Sequence, residues 1–185
     1  MAAREPSCGP VRLVAVDGHA GSGKTTLAGS IAAALGGAPV VHTDDLATHD
    51  EPFAWTGRLA AEVLAPFAAG RPARHRVYDW TARAFRGTRE IAPAPVVLLE
   101  GVGSGRAALR PHLALVLWLE VDPSIARARG LRRDGPGLAR FWTGWTRAED
   151  EHFAADPTRP YADLLVHQTP DGYRAAPGPS RDHRG

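Results

Sequence analysis

The sequence predicts an α/β protein with a parallel sheet covered by helices on both faces. Three observations carry that prediction. Short apolar, β-branched runs alternate with longer helical stretches. The first strand passes through a glycine-rich turn directly into a helix. The residues best suited to chemistry, Gly18, Asp44 and Glu100, fall where strands end, and such sheets bind ligands there.

The elements follow in chain order. VRLVAVD, from Val11 to Asp17, reads as a central buried strand. Gly23 to Leu35 is rich in alanine and leucine and closes on Gly36-Gly37, a helix with its stop signal. PVVHT, from Pro39 to Thr43, is a second strand that ends in Asp44-Asp45. Thr48 to Trp55 reads as a polar loop, and Arg58 to Ala69 as an amphipathic helix ended by Gly70. Arg71 to Pro95 is arginine-rich and expected to be irregular. Val96 to Leu99 is a third strand leading to Glu100-Gly101, and Leu113 to Val121 a fourth. Pro123 to Arg133 and Leu138 to about Ala155 are helices, separated by a break at Asp134 to Gly137. Ala162 to Val166 is a last strand. One domain is therefore expected over 11–173, with a flexible arm at 1–10 and a disordered tail at 174–185.

Composition narrows the function. Of 185 residues, 44% are hydrophobic, enough for a sizeable core. A net charge of +2, with no basic tract interleaved with aromatics, argues against a nucleic-acid surface. The single Cys8 cannot form an internal disulfide, which suits a reducing cytoplasm. The N-terminus MAAREPSCGP lacks the apolar core of a signal peptide. No apolar run approaches the roughly 20 residues of a membrane span.

The glycine-rich turn is the sharpest signal. Gly18-His19-Ala20-Gly21-Ser22-Gly23-Lys24-Thr25 matches GxxxxGK[ST] in full, and Thr26 continues it. Its glycines allow backbone N–H groups to surround a β-phosphate, and the helix that starts there adds its positive end. Lys24 would bridge the β- and γ-phosphates and Thr25 would ligate Mg²⁺. Lys24 is the only lysine among 22 lysines and arginines. A compact ammonium fits between phosphate oxygens where a planar guanidinium does not. The turn therefore predicts the three-layer P-loop fold and the binding of a nucleoside triphosphate.

Such turns serve kinases, GTPases and motors alike. No NKxD-like guanine motif is present, and the chain is short for a motor with a sensor subdomain. A kinase needs an acceptor site, a base for the acceptor hydroxyl, and charge over the transferring phosphoryl group. Asp44 or Asp45 can supply the base, and because neighbouring residues face opposite ways only one enters the site well. Glu100, at the end of VVLLE, suits a Mg²⁺ ligand, direct or through water. In ARARGLRRDG, Arg129 and Arg133 share a helical face. With breaks at Gly130 and Gly135-Pro136-Gly137, they read as a phosphate-closing lid over about 127–138. The eight histidines show no metal-ligand spacing. Trp142 and Trp145 read as core packing or as contact with the lid, and Glu149, Asp150 and Glu151 as a solvated face.

Taken together, GHAGSGKTT, TDD, VYDW, VVLLEG, the arginine lid and DPTRPYADLLV resemble the uridine kinase family of P-loop kinases over roughly Val11 to Gly172. The resemblance implies about five parallel strands and ATP- and Mg²⁺-dependent phosphorylation of a small-molecule hydroxyl. It implies Asp44 as the base, and Thr25, Asp44 and Glu100 around the metal. Tyr78 and Trp80 would flank the acceptor, although on the residues alone they alternate around Asp79 and fit buried packing equally; Arg129 and Arg133 would belong to the lid. The family also often forms homo-oligomers, although no exposed apolar stripe here marks an interface. Two departures bear on the acceptor. Trp55 falls about where the family places an aspartate on the ribose hydroxyls, with Asp50 and Glu51 as substitutes. Arg83 stands where the family has a base-reading histidine, and an arginine suits an anionic group. A nucleoside is the default acceptor, and another small alcohol stays open. A nucleoside monophosphate kinase and a non-catalytic nucleotide-binding regulator are the competing readings.

Overall fold

The structure is a computed structural model that describes residues 4–180. Its main sheet has six strands: β1 (Arg12–Asp17), β2 (Val40–His42), β5 (Val96–Glu100), β6 (Leu115–Glu120), β7 (Leu164–Thr169) and β8 (Gly172–Pro177). They lie in the order β2-β5-β1-β6-β7-β8. The first five are parallel, as expected, and β8 returns antiparallel to β7.

Both faces of the inner strands are apolar, so adjacent residues serve different cores. Leu13, Val97 and Leu99 pack on one side with Trp55, Leu59, Val63 and Phe67. Val14, Val16 and Leu98 pack on the other with Leu27 and Ala28. Helix α1 (Lys24–Ala34) covers the second face. The first is covered by α2, residues 56–68, which is helical throughout with a π-helical stretch at Ala60–Leu64. Two more helices follow, α3 (Pro123–Asp134) and α4 (Ala139–Ala155), joined by a single 3₁₀ turn at Pro136–Leu138. Among the described residues no helix is long and apolar enough to cross a membrane.

Three expectations are corrected. The stretch 71–95 is not irregular: β3 (Ala73–Asp79) and β4 (Ala84–Ile91) form a separate antiparallel hairpin. Its arginines occupy the outward positions of an alternating pattern in which Ala73, His75 and Tyr78 point inward. The chain from residue 174 is not a disordered tail through 180. Arg174 to Pro177 complete β8, and Ser180 donates to the buried Asp163 at 3.1 Å. Residues 181–185 lie outside the described chain. Nor is the N-terminal arm loose from residue 4 on. Arg4 pairs with Asp163 at 3.0 Å, Ser7 accepts from Leu13 N, and Cys8 is buried against Leu64. Residues 1–3 of that arm also lie outside the described chain.

Candidate active site

Three strand ends meet at the site. In the sheet register Val16 and His42 both lie opposite Glu100, so the glycine-rich turn, Glu100 and the Thr43–Asp45 turn converge. Gly101 makes this convergence feasible. A Cβ there would fall 1.8 Å from Thr43 Oγ1, and its φ of +143° disfavours any side chain.

The turn itself is built from left-handed glycines, with φ of +82° at Gly21 and +99° at Gly23. Its base is tied down by Asp17. That buried carboxylate accepts from the backbone of Gly18, Gly103 and Gly105 and from Thr158 Oγ1. Glu149 secures the turn from the other side, accepting from Ala20 N at 2.7 Å. Glu149 is therefore fully buried and not part of a solvated face; the helical spacing of α4 turns it inward.

A cavity of about 270 Å³ opens over the turn. Ala20, Gly21, Gly23, Lys24, Thr25 and Thr26 line it, facing Asp44, Glu100, Arg129 and Arg133. Gly18, His19 and Ser22 stand behind it. His19 turns its ring onto Trp118 and Phe153, and its carbonyl accepts from Lys24 Nζ at 3.0 Å. Thr25 Oγ1 donates to Glu100 Oε1 at 3.2 Å, and Glu100 Oε2 holds His42 Nδ1 at 2.7 Å. That contact, chiefly, raises the His42 pKa. Hydroxyl and carboxylate oxygens set beside a phosphate cradle are the hard donors Mg²⁺ prefers, since it completes its shell with water and substrate phosphates. Thr25, Glu100 and Asp44 fit such an ion.

A second cavity, of about 550 Å³, adjoins the first and shares Ala20, Asp44, Arg133 and Trp145 with it. Trp80, Phe141 and Trp142 supply aromatic walls; Arg83, Thr81, His49 and Asp134 supply polar ones. Asp44 is exposed and opens into both cavities. Loss of hydration raises its pKa most, the Glu100 charge adds to that, and Lys24 opposes it. Trp80 Nε1 fixes the turn by donating to the Asp44 carbonyl at 3.1 Å. Asp45 points elsewhere, to Arg89 at 3.1 Å.

The structure sorts the remaining sequence candidates. Arg129 and Arg133 both reach the phosphate cavity. They do so from a continuous helix: Gly130 does not break it but makes room for Trp142, whose ring a Cβ would meet at 2.1 Å. The break comes at Gly135, φ +82°. Trp80 and Arg83 line the acceptor-side cavity. Tyr78 does not; it sits one layer behind, its hydroxyl 3.0 Å from His49 Nδ1. Trp55 is no acceptor residue. It is buried in the core with the Arg106 guanidinium 4.1 Å over its ring. Glu51 pairs with Arg58, and neither it nor Asp50 lines the cavity. Sequence reasoning missed His49 and Phe141; Trp142 packs on the lid helix over Gly130 as expected, and it and Trp145 also line the acceptor-side cavity. Their spacing on one helix marks a packed face, and an aromatic face that packs looks the same in sequence as one that borders a cavity.

No family model matches the chain. It is 26% identical over 178 residues to a uridine kinase of Borrelia hermsii, covering 84% of this chain and 86% of that protein. Its identity to a uridine kinase of Staphylococcus aureus (strain Newman) is 24% over 179 residues, covering 83% and 86%. Among solved structures, a possible uridine kinase from Bacillus stearothermophilus superimposes with a TM-score of 0.60 at 20% identity, covering 83% and 87%. A D-glycerate 3-kinase from Cryptococcus neoformans gives 0.57 at 12% identity, covering 90% of each chain. Fold and site thus define a P-loop kinase that acts on a small molecule. Among the relatives it resembles, those named uridine kinases match it at 24 to 26% identity over most of both chains.

Proposed function

We propose that the protein transfers the γ-phosphoryl group of Mg-ATP to a hydroxyl of a small molecule, nucleoside-like in the default reading. The observation that carries this is the pair of adjoining cavities that share Asp44 and Arg133. One is a phosphate cradle and the other an aromatic-walled pocket, so a donor and an acceptor would meet at the carboxylate between them.

The backbone of residues 20–26 and Lys24 hold the phosphates, and the rest of the nucleotide extends toward a third cavity beside Arg129, Gln168 and Tyr173. Mg²⁺, held by Thr25, Glu100 and Asp44, neutralises phosphate charge when bound. Asp44 accepts the proton of the acceptor hydroxyl as its oxygen attacks the γ-phosphorus and the bond to the β-phosphate oxygen breaks, releasing ADP. Its pKa, raised by lost hydration and by Glu100, makes it a stronger base toward that proton. Lys24, Arg129 and Arg133 offset the charge that spreads over the transferring group. The aromatic walls exclude water, which limits hydrolysis of ATP.

The test is to incubate the protein with Mg-ATP and a panel of nucleosides, nucleoside monophosphates and other alcohols, following ADP release and product mass. An acceptor that gains one phosphate while ADP release rises supports the reading. ATP binding with no acceptor-dependent turnover across the panel sinks it in favour of the regulator reading. Transfer only to existing phosphates would make the protein a monophosphate kinase.

A further inference from the structure

We infer that the acceptor is a flat-ringed alcohol carrying an anionic group, recognised by the aromatic walls and by Arg83, and is not a bare ribose or sugar. This rests on the kinase reading above. The first argument is where carboxylates are free. Vicinal diols are commonly held by carboxylates, and only two line the acceptor-side cavity, Asp44 and Asp134. Asp44 faces the reacting hydroxyl. Asp134 is spent: its oxygens accept from Arg133 Nε at 2.6 Å, Arg133 Nη2 at 2.9 Å and Trp142 Nε1 at 3.1 Å. A diol entering this pocket therefore finds no carboxylate free of other partners to hold both hydroxyls, only Thr81 and His49 among its uncharged polar walls.

The second argument is Arg83. It lines the acceptor-side cavity and not the phosphate cavity, so it stands off the side where the donor phosphates would sit. Among the described residues no carboxylate pairs with it. The Arg133–Asp134 pair is internally neutral, so Arg83 leaves the far side of the pocket with uncompensated positive charge. It is also close enough to help lower the His49 pKa, after burial, with Asp50 opposing.

The third argument is backbone conformation. Arg83 is the one non-glycine residue with positive φ among the described residues, at +53°. Asp79 Oδ1 accepts from Thr81 N and Ala82 N and sets up this turn. Glycine or asparagine would occupy that conformation at lower cost. A long cation placed there, at the mouth of a cavity, is strain kept where its side chain can be used. A carboxylate and a phosphate ester are equivalent partners for a guanidinium.

The test separates binding from turnover. Tryptophan fluorescence, with Trp80, Trp142 and Trp145 at the cavity, reports affinity for matched pairs in the presence of Mg²⁺ and a non-hydrolysable ATP analogue. The pairs are uridine with orotidine, benzyl alcohol with para-(hydroxymethyl)benzoate, and uridine with a uridine monophosphate whose primary hydroxyl is free. The anionic member should bind about tenfold or more tightly, since charge-assisted contacts carry that much. The carboxylate and phosphate arms show which anion the site takes. Arg83→Gly should abolish the preference while its melting temperature holds or rises, because glycine relieves the left-handed turn. A merely structural arginine would not give that combination. Neutral members binding as tightly as their anionic partners, or no member binding, overturns the inference, as does a preference that survives in Arg83→Gly. If the anionic members bind tightly and Mg-ATP then phosphorylates none of them, the pocket assignment stands and the kinase reading falls.

Discussion

Asp44 and Asp45 are neighbours in sequence and do opposite work. Asp44 opens into both cavities, while Asp45 is buried against Arg89 at 3.1 Å and near His75 at 3.9 Å. The 3₁₀ turn at Thr43–Asp45 rotates one carboxylate into the site and the other toward the β3–β4 hairpin. Asp44→Asn should lower kcat by about 10² to 10⁴ while ATP affinity changes only severalfold. Asp45→Asn should cost stability and leave kcat within about an order of magnitude. Steady-state kinetics beside thermal melts checks the pair, and equal kcat losses in both would argue against Asp44 as the base.

Gly21 couples the phosphate turn to the arginine-bearing helix. A Cβ there would lie 2.1 Å from the Ala126 carbonyl oxygen, and its φ is +82°. Both partners are backbone, so neither can swing away. Gly21→Ala should therefore displace α3 from the turn and weaken nucleotide binding by at least about tenfold, roughly 1.4 kcal/mol. Titration with a fluorescent ATP analogue measures this, and unchanged affinity would mean that α3 does not have to sit against the turn.

The two tryptophans near the acceptor segment should separate cleanly. Trp55 is core, so Trp55→Ala should cost about 3–5 kcal/mol of stability. Trp80 borders the cavity and holds the Asp44 carbonyl. Trp80→Phe keeps a ring and removes that donor, so it should leave stability within about 1–2 kcal/mol and impair acceptor use. Melting curves and acceptor KM report the two effects. A Trp80→Phe protein with normal acceptor kinetics would place the acceptor elsewhere.

Local signals carried most of the fold. The glycine-rich turn, the five parallel strands and the helices are each marked by residues close together in the chain, and the structure has them where the sequence places them. The hairpin was hidden because its outer positions are arginines, which mask an alternation that only Ala73, His75 and Tyr78 betray. Strand β8 was hidden by Pro177 and Gly178, residues that read as disorder until β7 and Asp163 supply partners. At the site, residues fixed to strand ends were legible, Asp44 and Glu100 among them. Those that depend on which way a helix or hairpin turns were not. Trp55 and Tyr78 went inward, whereas Trp142 and Trp145, read as core packing or lid contact, also reached the cavity. Direction of this kind is settled by contacts distant in sequence, such as Trp142 over Gly130.

His152 gives the protein an acid-sensitive point away from the chemistry. Its ring stacks on Phe53 at 4.8 Å, and burial, helped by Arg106, pushes its pKa down to about 4 from 6.5. The unfolded chain therefore binds a proton that the folded chain refuses between those two values. Stability should be full above about pH 6.5, fall as the pH drops through the window, and level off below about pH 4. The loss should be about 2 kcal/mol, after discounting for the partial exposure of the ring. His152→Gln removes the titrating group, so its melting temperature should fall less between neutral pH and about pH 4.5 than that of the wild type. Scanning fluorimetry across that range decides it. Parallel pH profiles for the two proteins would show that carboxylates held below their ordinary pKa, such as Asp134 beside Arg133, dominate the acid response and that His152 contributes little.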